Sequence, residues 1–241
     1  FLLFLVSYAD ELSAFNMSLE KLLDYEIKSA SLFEDSVLTT GSSVSVIEPS
    51  DWQRIGARSM LDAISNQPSV QVLPSAYGLN VISIRGYSQV ASARGIATLL
   101  DGIPTNGVNL GSGQYATQNV QLGVLDRIEL TRGPGSALYG SDAFHGVLAL
   151  SAFESEEDVT RISAEGGGDD YYQTGVQHSV GFKDGSRVNI AFAASGEDKD
   201  STYIASGLGT EQSSFRVDES YQSQTLSLKT SIQPTPSLKV V

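Results

Sequence analysis

The 241-residue chain has no cysteine, two histidines (His145 and His178), two methionines and one tryptophan. Without a thiol there is no disulfide, no thiolate-held zinc, no iron–sulfur cluster and no cysteine nucleophile, and two lone histidines do not build a zinc site. Positive charge is scarce too: 15 Lys and Arg stand against 28 Asp and Glu, a net charge of −13. That balance argues against nucleic acid and anionic membrane surfaces as electrostatic partners. No run reaches the ~18 apolar residues of a membrane-spanning helix. The lack of cysteine does not fix the compartment, because exported proteins also occur without disulfides. With 41% hydrophobic and 18% charged residues the chain is globular rather than disordered, and its length allows one large or two modest domains.

Catalytic fingerprints are missing as well. Ser136 has Pro134 where a nucleophile elbow requires glycine, and no P-loop or dinucleotide motif occurs. The acidic stretches 166–170 and 198–200 lack the ligand spacing of a calcium loop and read as solvated turns. The expectation is a non-enzymatic protein with no metal site and no cofactor.

What is present begins with Phe1-Leu2-Leu3-Phe4-Leu5-Val6, followed by Ser7-Tyr8-Ala9. An apolar run that stops at small residues is similar to the tail of a signal peptide, so residues 1–9 read as its remnant, the alternative being a buried first strand or helix turn. Residues 10–40 are polar and weakly patterned, a flexible leader in which 18–23 form at most a marginal helix. The chain stops within a strand-like stretch at 238–241, and both ends read as those of a fragment.

Residues 41–153 alternate short strands with two small helices. Strands are expected at 44–47, 70–73, 81–85, 97–100, 124–132 and 146–150. Ser50 is the candidate cap of a brief helix that Gly56 ends, and Ser59-Met60-Leu61-Asp62 opens a second that Asn66 and Pro68 stop. Glycine-rich loops fall at 86–95 and 104–119. This is the pattern of an α+β domain. After an acidic linker at 154–158 the texture changes to long alternating stretches at 160–165, 171–182, 187–195 and 221–233. Segments of about ten residues with one apolar face suit either the strands of an outer-membrane barrel or a soluble β-sandwich.

One run distinguishes these readings. Residues 125–148, LDRIELTRGPGSALYGSDAFHGVL, closely resemble the end of the plug domain of TonB-dependent outer-membrane receptors. Ile82-Ser83-Ile84-Arg85-Gly86 resembles that family's isoleucine-arginine-glycine element, and Leu100-Asp101-Gly102-Ile103-Pro104 its aspartate-glycine-x-proline turn. The strand 44–47 is similar to its first plug strand. Together these motifs span residues 25–150 in the family's order.

The resemblance implies a fold class: an α+β plug, a short mixed sheet with small helices, followed by antiparallel strands of an incomplete transmembrane β-barrel over 158–241. It implies energised uptake of a scarce chelated nutrient, a ferric siderophore or a cobalamin-like molecule, across the bacterial outer membrane. The implied partners are a TonB-type energy-transducing protein on the periplasmic side, the chelated ligand, and outer-membrane lipid around the full barrel. Tyr25, Glu26, Ile27, Lys28, Ser29 and Ala30 resemble a TonB box, an extended segment able to add to the edge of a partner sheet. Arg85 and Arg132 are implied to lock the plug to carboxylates of the barrel wall, the alternatives being ordinary surface arginines or pairing with Glu129 or Asp101 inside the plug. Tyr87, Gln89, Asn106, Asn109 and Tyr115 are the candidate ligand-facing groups of the plug loops. Gly86, Gly102, Gly133, Pro134, Gly135 and Gly140 are expected in structural turns. The alternative from another class is a secreted β-rich adhesin or glycan-binding module with no transport role.

Overall fold

A computed structural model of the chain describes residues 26–27, 35–36, 43–74, 80–87, 95–107, 111, 113, 119–198, 202–206, 213–217 and 220–232. The chain divides into two compact units, one of residues 1–117 with Arg127–Ser151 and one of Gln118–Asp126 with Ala152–Val241.

In the first unit a five-stranded mixed sheet has the order β3-β8-β9-β6-β7, from Ser43–Ile47, Leu125–Arg132, Gly146–Ala152, Ile96–Leu100 and Ile103–Pro104. β6 and β9 run parallel, whereas β3–β8 and β6–β7 are antiparallel. The run Val147-Leu148 is wholly buried, as are Ile128, Leu130 and Leu99, so the central strands are covered on both faces and carry near-continuous apolar sequence. Each such side chain stabilises the fold by about 1.5–3 kcal/mol through burial. β4 (Val70–Pro74) and β5 (Asn80–Ile84) form a separate antiparallel pair. A short pair, β1 (Glu26–Ile27) and β2 (Asp35–Ser36), joins parts of the leader antiparallel.

The two helices follow from their caps. α1 (Pro49–Arg54) starts one residue before the expected Ser50 cap. Glu48 holds the extended cap conformation and its N–H donates to the Asp51 carboxylate at 3.1 Å. The reason is Pro49, whose fixed φ and missing N–H suit the first helical position and draw the start toward it. α2 (Met60–Ser65) opens on the expected capping box, Ser59 Oγ accepting from Asp62 N–H at 3.2 Å while Ser59 N–H donates to Asp62 at 2.9 Å. Trp52, Met60 and Ile64 are buried, so the helices are held by packing rather than by length. A one-turn helix, α3 (Ser136–Tyr139), and the edge strand β7 have no counterpart in the sequence-based expectation.

In the second unit β10 (Val159–Gly166), β11 (Tyr172–Gly181), β12 (Arg187–Glu197) and β15 (Tyr221–Ser231) form one antiparallel sheet. Among the described residues β13 (Thr202–Ser206) and β14 (Ser213–Val217) pair with each other, within the long connection between β12 and β15. Register aligns Ile162, Val176, Phe192 and Leu226 in one row across the four strands. These four are exposed by 39–79%, whereas Ser179, Asn189, Ala191, Ala193 and Ser195 on the opposite face are exposed by 5% or less. A soluble sandwich buries its apolar face. This sheet does the reverse, which is the arrangement of a barrel wall facing lipid. Ten residues of β11 at ~3.3 Å each, tilted by about 40°, span roughly 25 Å, the height of an outer-membrane apolar band. Among the described residues no helix is long and apolar enough to cross a membrane.

The inner face of this sheet carries a segment from far upstream. The 3-10 turn Leu122–Val124 lies on it: Gln177 Nε2 donates to Gly123 O at 3.1 Å, and a Cβ on Gly123 would come within 2.9 Å of Ala193 Cβ. Val124, Phe153, Ala191 and Ala193 form a buried apolar cluster beneath. Small residues on the wall therefore permit the backbone to approach closely.

Gly133, Pro134 and Gly135 turn the chain out of β8, and Gly135 is required by space: a Cβ there would lie 2.5 Å from Val147 Cγ2. Gly135→Ala is expected to lower stability by about 1–3 kcal/mol through overpacking against β9, measured as a shift of the denaturation midpoint.

Candidate functional site

Arg85 follows β5 and Arg132 closes β8, and the fold brings the two together. A two-residue turn, Arg85-Gly86, joins Ile84 to Tyr87, with reciprocal backbone bonds of 3.2 Å at its base. Both turn residues have positive φ, 54° and 78°, the type I′ geometry that favours Asn or Gly. An arginine in the left-handed region costs roughly 1–2 kcal/mol, so its presence at this position points to a use for the side chain. The Asp101-Gly102 turn between β6 and β7 has the same geometry, with φ of 47° and 78°, but there the residue types suit it.

Arg132 Nε donates to Ser43 Oγ at 3.2 Å and Nη1 to Pro68 O at 3.3 Å, while Arg85 N–H donates to Ser69 O at 2.8 Å. Burial, and then the nearby Arg85 charge, push the Arg132 guanidinium below its usual value. Among the described residues neither guanidinium pairs with a carboxylate. Glu129, one partner considered for them, is within 3.1 Å of Arg127 instead. The corner is thus a pair of like charges whose counter-ion is not supplied by these neighbours, the setting in which a bidentate carboxylate contact gains most.

The other candidate residues separate. Tyr87 lies beside the arginine corner, its ring stacked on that of His145. Asn106 turns inward: its Oδ1 accepts from Thr98 N–H at 2.8 Å, and its Nδ2 donates to Ile96 O at 3.0 Å and Gly111 O at 3.1 Å. Its amide extends the hydrogen bonding of β6 and serves the fold of that corner. Gly140 has φ of 79° ahead of the 3-10 turn Ser141–Ala143. Gln89, Asn109 and Tyr115 lie outside the described residues, as do Tyr25, Lys28, Ser29 and Ala30. Of the TonB-box-like segment, Glu26 and Ile27 are strand-paired with Ser36 and Asp35. Among the described residues no three His, Cys, Asp or Glu side chains gather to hold a metal ion.

A second group of polar residues was not singled out from sequence. The stretch after Phe153, which reads as a linker, is fastened to the inner face of the sheet. Glu154 meets Lys229 at 2.6 Å, Ser155 N–H donates to Asn189 Oδ1 at 3.2 Å, and Ser179 Oγ donates to Ser155 O at 3.1 Å. Asp158 accepts from Gly181 N–H at 2.7 Å and from Arg187 Nη1 at 3.1 Å. Exposed ion pairs of this kind each contribute little; the fastening rests on their number and on the bonds to backbone.

The Gly181 N–H and, after it, the Arg187 guanidinium hold the Asp158 carboxyl below the usual aspartate range. A lowered folded value means its contribution is complete above the unfolded pKa of about 3.9 and disappears as pH falls through the folded value. The protection factor of the Gly181 amide against hydrogen exchange is therefore expected to drop across that acid window, and to be low and flat with pH in Asp158→Ala.

Comparison with known proteins agrees with this geometry. The TonB-dependent Receptor Plug Domain family matches residues 36–147. The vitamin B12 transporter BtuB of Photobacterium profundum is 30% identical over 177 residues, covering 73% of this chain and 28% of that protein. The BtuB of Vibrio vulnificus strain YJ016 is 25% identical over 212 residues, covering 84% and 32%. Among solved structures, the pyoverdine outer membrane receptor FpvA of Pseudomonas aeruginosa superposes with a TM-score of 0.63 at 20% identity, over 74% of this chain and 26% of that one. The ferric yersiniabactin uptake receptor FyuA of Yersinia pestis gives 0.51 at 21% identity, over 71% and 26%. The chain thus spans between about a quarter and a third of the length of these relatives. Residues 36–147 are therefore a TonB-dependent receptor plug domain, and the antiparallel strands that follow align with the barrels of the same receptor family.

Proposed function

We propose that this chain is the leader, plug and first wall strands of an outer-membrane transporter that takes up a scarce chelated nutrient, a ferric siderophore or a cobalamin-like molecule, without enzymatic chemistry. The observation that carries the reading is the succession, within one chain, of a plug-type mixed sheet and a strand wall with its apolar face outward. In this reading residues 1–9 derive from an export signal, 10–40 are the leader, 41–153 the plug and 158–241 the first barrel strands. An adhesin built as a soluble sandwich has no use for an exposed apolar row, and nothing in the arrangement favours it.

The physical logic runs from energy supply to side chains. The outer membrane holds no nucleotide pool, so work has to arrive as a pull from a TonB-type protein on the periplasmic side. Tyr25–Ala30 is the segment we assign to that grip, through strand addition that needs main-chain hydrogen bonds and little else. Arg85 and Arg132 are assigned to lock the plug against carboxylates of the complete barrel, a contact strong in orientation yet breakable by water. Tyr87 and the loops holding Gln89, Asn109 and Tyr115 are assigned to the ligand side. The BtuB relatives favour a corrinoid cargo; the fold-level likeness to FpvA and FyuA keeps a ferric siderophore open.

The test uses the complete receptor in cells lacking their own receptors, with radiolabelled cyanocobalamin and a radio-iron-loaded siderophore offered in turn. Uptake of one of them that depends on TonB and is lost on deleting residues 25–30, with surface binding retained, is the expected result. Uptake that survives the deletion, or proceeds equally without TonB, contradicts the proposal.

A further inference from the structure

We infer that His145 is the positioning residue of the Arg85–Arg132 pair, a role that rests on the lock reading above. Arg85 reaches the residue after Arg132, its Nη1 3.9 Å from where a Cβ on Gly133 would sit, and after burial it is the Arg85 charge that lowers the Arg132 value. The pair is also divided between two sheets: Arg85 follows β5 of the two-stranded β4–β5 sheet, and Arg132 ends β8 of the five-stranded sheet. Something has to join these sheets at the corner.

His145 makes that joint from both its backbone and its ring. Its carbonyl accepts from Gly133 N–H at 3.1 Å, which fixes the residue next to Arg132. Its N–H donates to Gly95 O at 2.6 Å, tying the corner to the start of β6. Its ring lies on the Tyr87 ring, centroids 3.4 Å apart and planes 22° from parallel. Tyr87 in turn closes the Arg85-Gly86 turn through its two bonds with Ile84. Gly95 leaves room for the ring, since a Cβ there would lie 2.6 Å from His145 Cδ2, and Phe144 meets the ring edge-on at 4.7 Å.

The side chain this position requires is therefore a flat ring with no charge of its own. Stacked pairs of this kind contribute beyond their buried area. Burial lowers the His145 value, which keeps the imidazole neutral at ordinary pH and adds no third positive charge beside the arginines. A phenyl ring meets the same requirement; a methyl group does not.

The readout is entry of vancomycin into cells that carry the complete receptor, a probe too large to pass a seated plug. His145→Ala and Arg132→Ala are expected to raise entry alike, the double variant to match the larger single effect within about twofold, the usual scatter of additivity, and His145→Phe to stay sealed. A sealed Arg132→Ala overturns the lock reading and this inference with it. A leaking Arg132→Ala beside a sealed His145→Ala overturns the inference alone, as do multiplying effects in the double variant or a His145→Phe that leaks like the alanine. Should His145→Ala fail to accumulate in the outer membrane, the exposed partner carries the test. Tyr87→Ala is then expected to leak without adding to Arg132→Ala, and a sealed or additive result overturns the inference.

Discussion

The rest of the structure depends on one constraint: backbone polar groups in hydrocarbon must be satisfied within the protein, and side chains there must be apolar. The four-strand sheet meets it between neighbours, pairing β10, β11, β12 and β15 in register, and it exposes the Ile162–Val176–Phe192–Leu226 row. The consequence falls on the opposite face. Because the outward side chains hold the apolar residues, the inner face is left mostly with small and polar residues, among them Ser179, Asn189, Ala191, Ala193, Gln177 and Lys229. Such a face has little hydrophobic attraction for what it encloses, so it holds its contents through close backbone approach and hydrogen bonds. Gly123 against Ala193 and Ser155 between Asn189 and Ser179 are what that looks like in detail.

The first unit has a core of its own, in which Ile128, Leu130, Leu148 and Leu150 are buried. What it offers outward at the arginine corner is charge. Polar attachments can be exchanged for water at modest cost, whereas an apolar seam cannot.

Much of this was legible in the sequence, for identifiable reasons. Period-two alternation marks β11, β12 and β15 within a residue or two, because one face of each strand meets a different medium. Asp101-Gly102 names its own turn type, and Ser59 with Asp62 names its helix start. The failures have equally identifiable causes. Pro49 outweighed Ser50 as the signal for α1. Asn106 looked like a free polar group because its bonds reach back eight and ten residues, beyond any local pattern. The grouping of Gln118–Asp126 with the later strands follows long-range contacts, such as those of Gly123 with Ala193 and Gln177, that no local pattern announces. His145 lies within the 125–148 run, but no pattern there signals its ring stack on Tyr87 or its backbone bonds to Gly95 and Gly133, which join stretches far apart in sequence.

The most direct test is to measure which medium each side of β15 meets. Spin labels on single cysteines introduced at Leu226 and Leu228, and separately at Ser223 and Ser227, in a complete receptor otherwise free of cysteine report accessibility to oxygen, which concentrates in lipid, and to a water-soluble nickel chelate. The account predicts high oxygen and low nickel accessibility at the two leucine positions and the loss of that signature at the two serine positions. Equal values at all four, or the lipid signature at the serines, would contradict it.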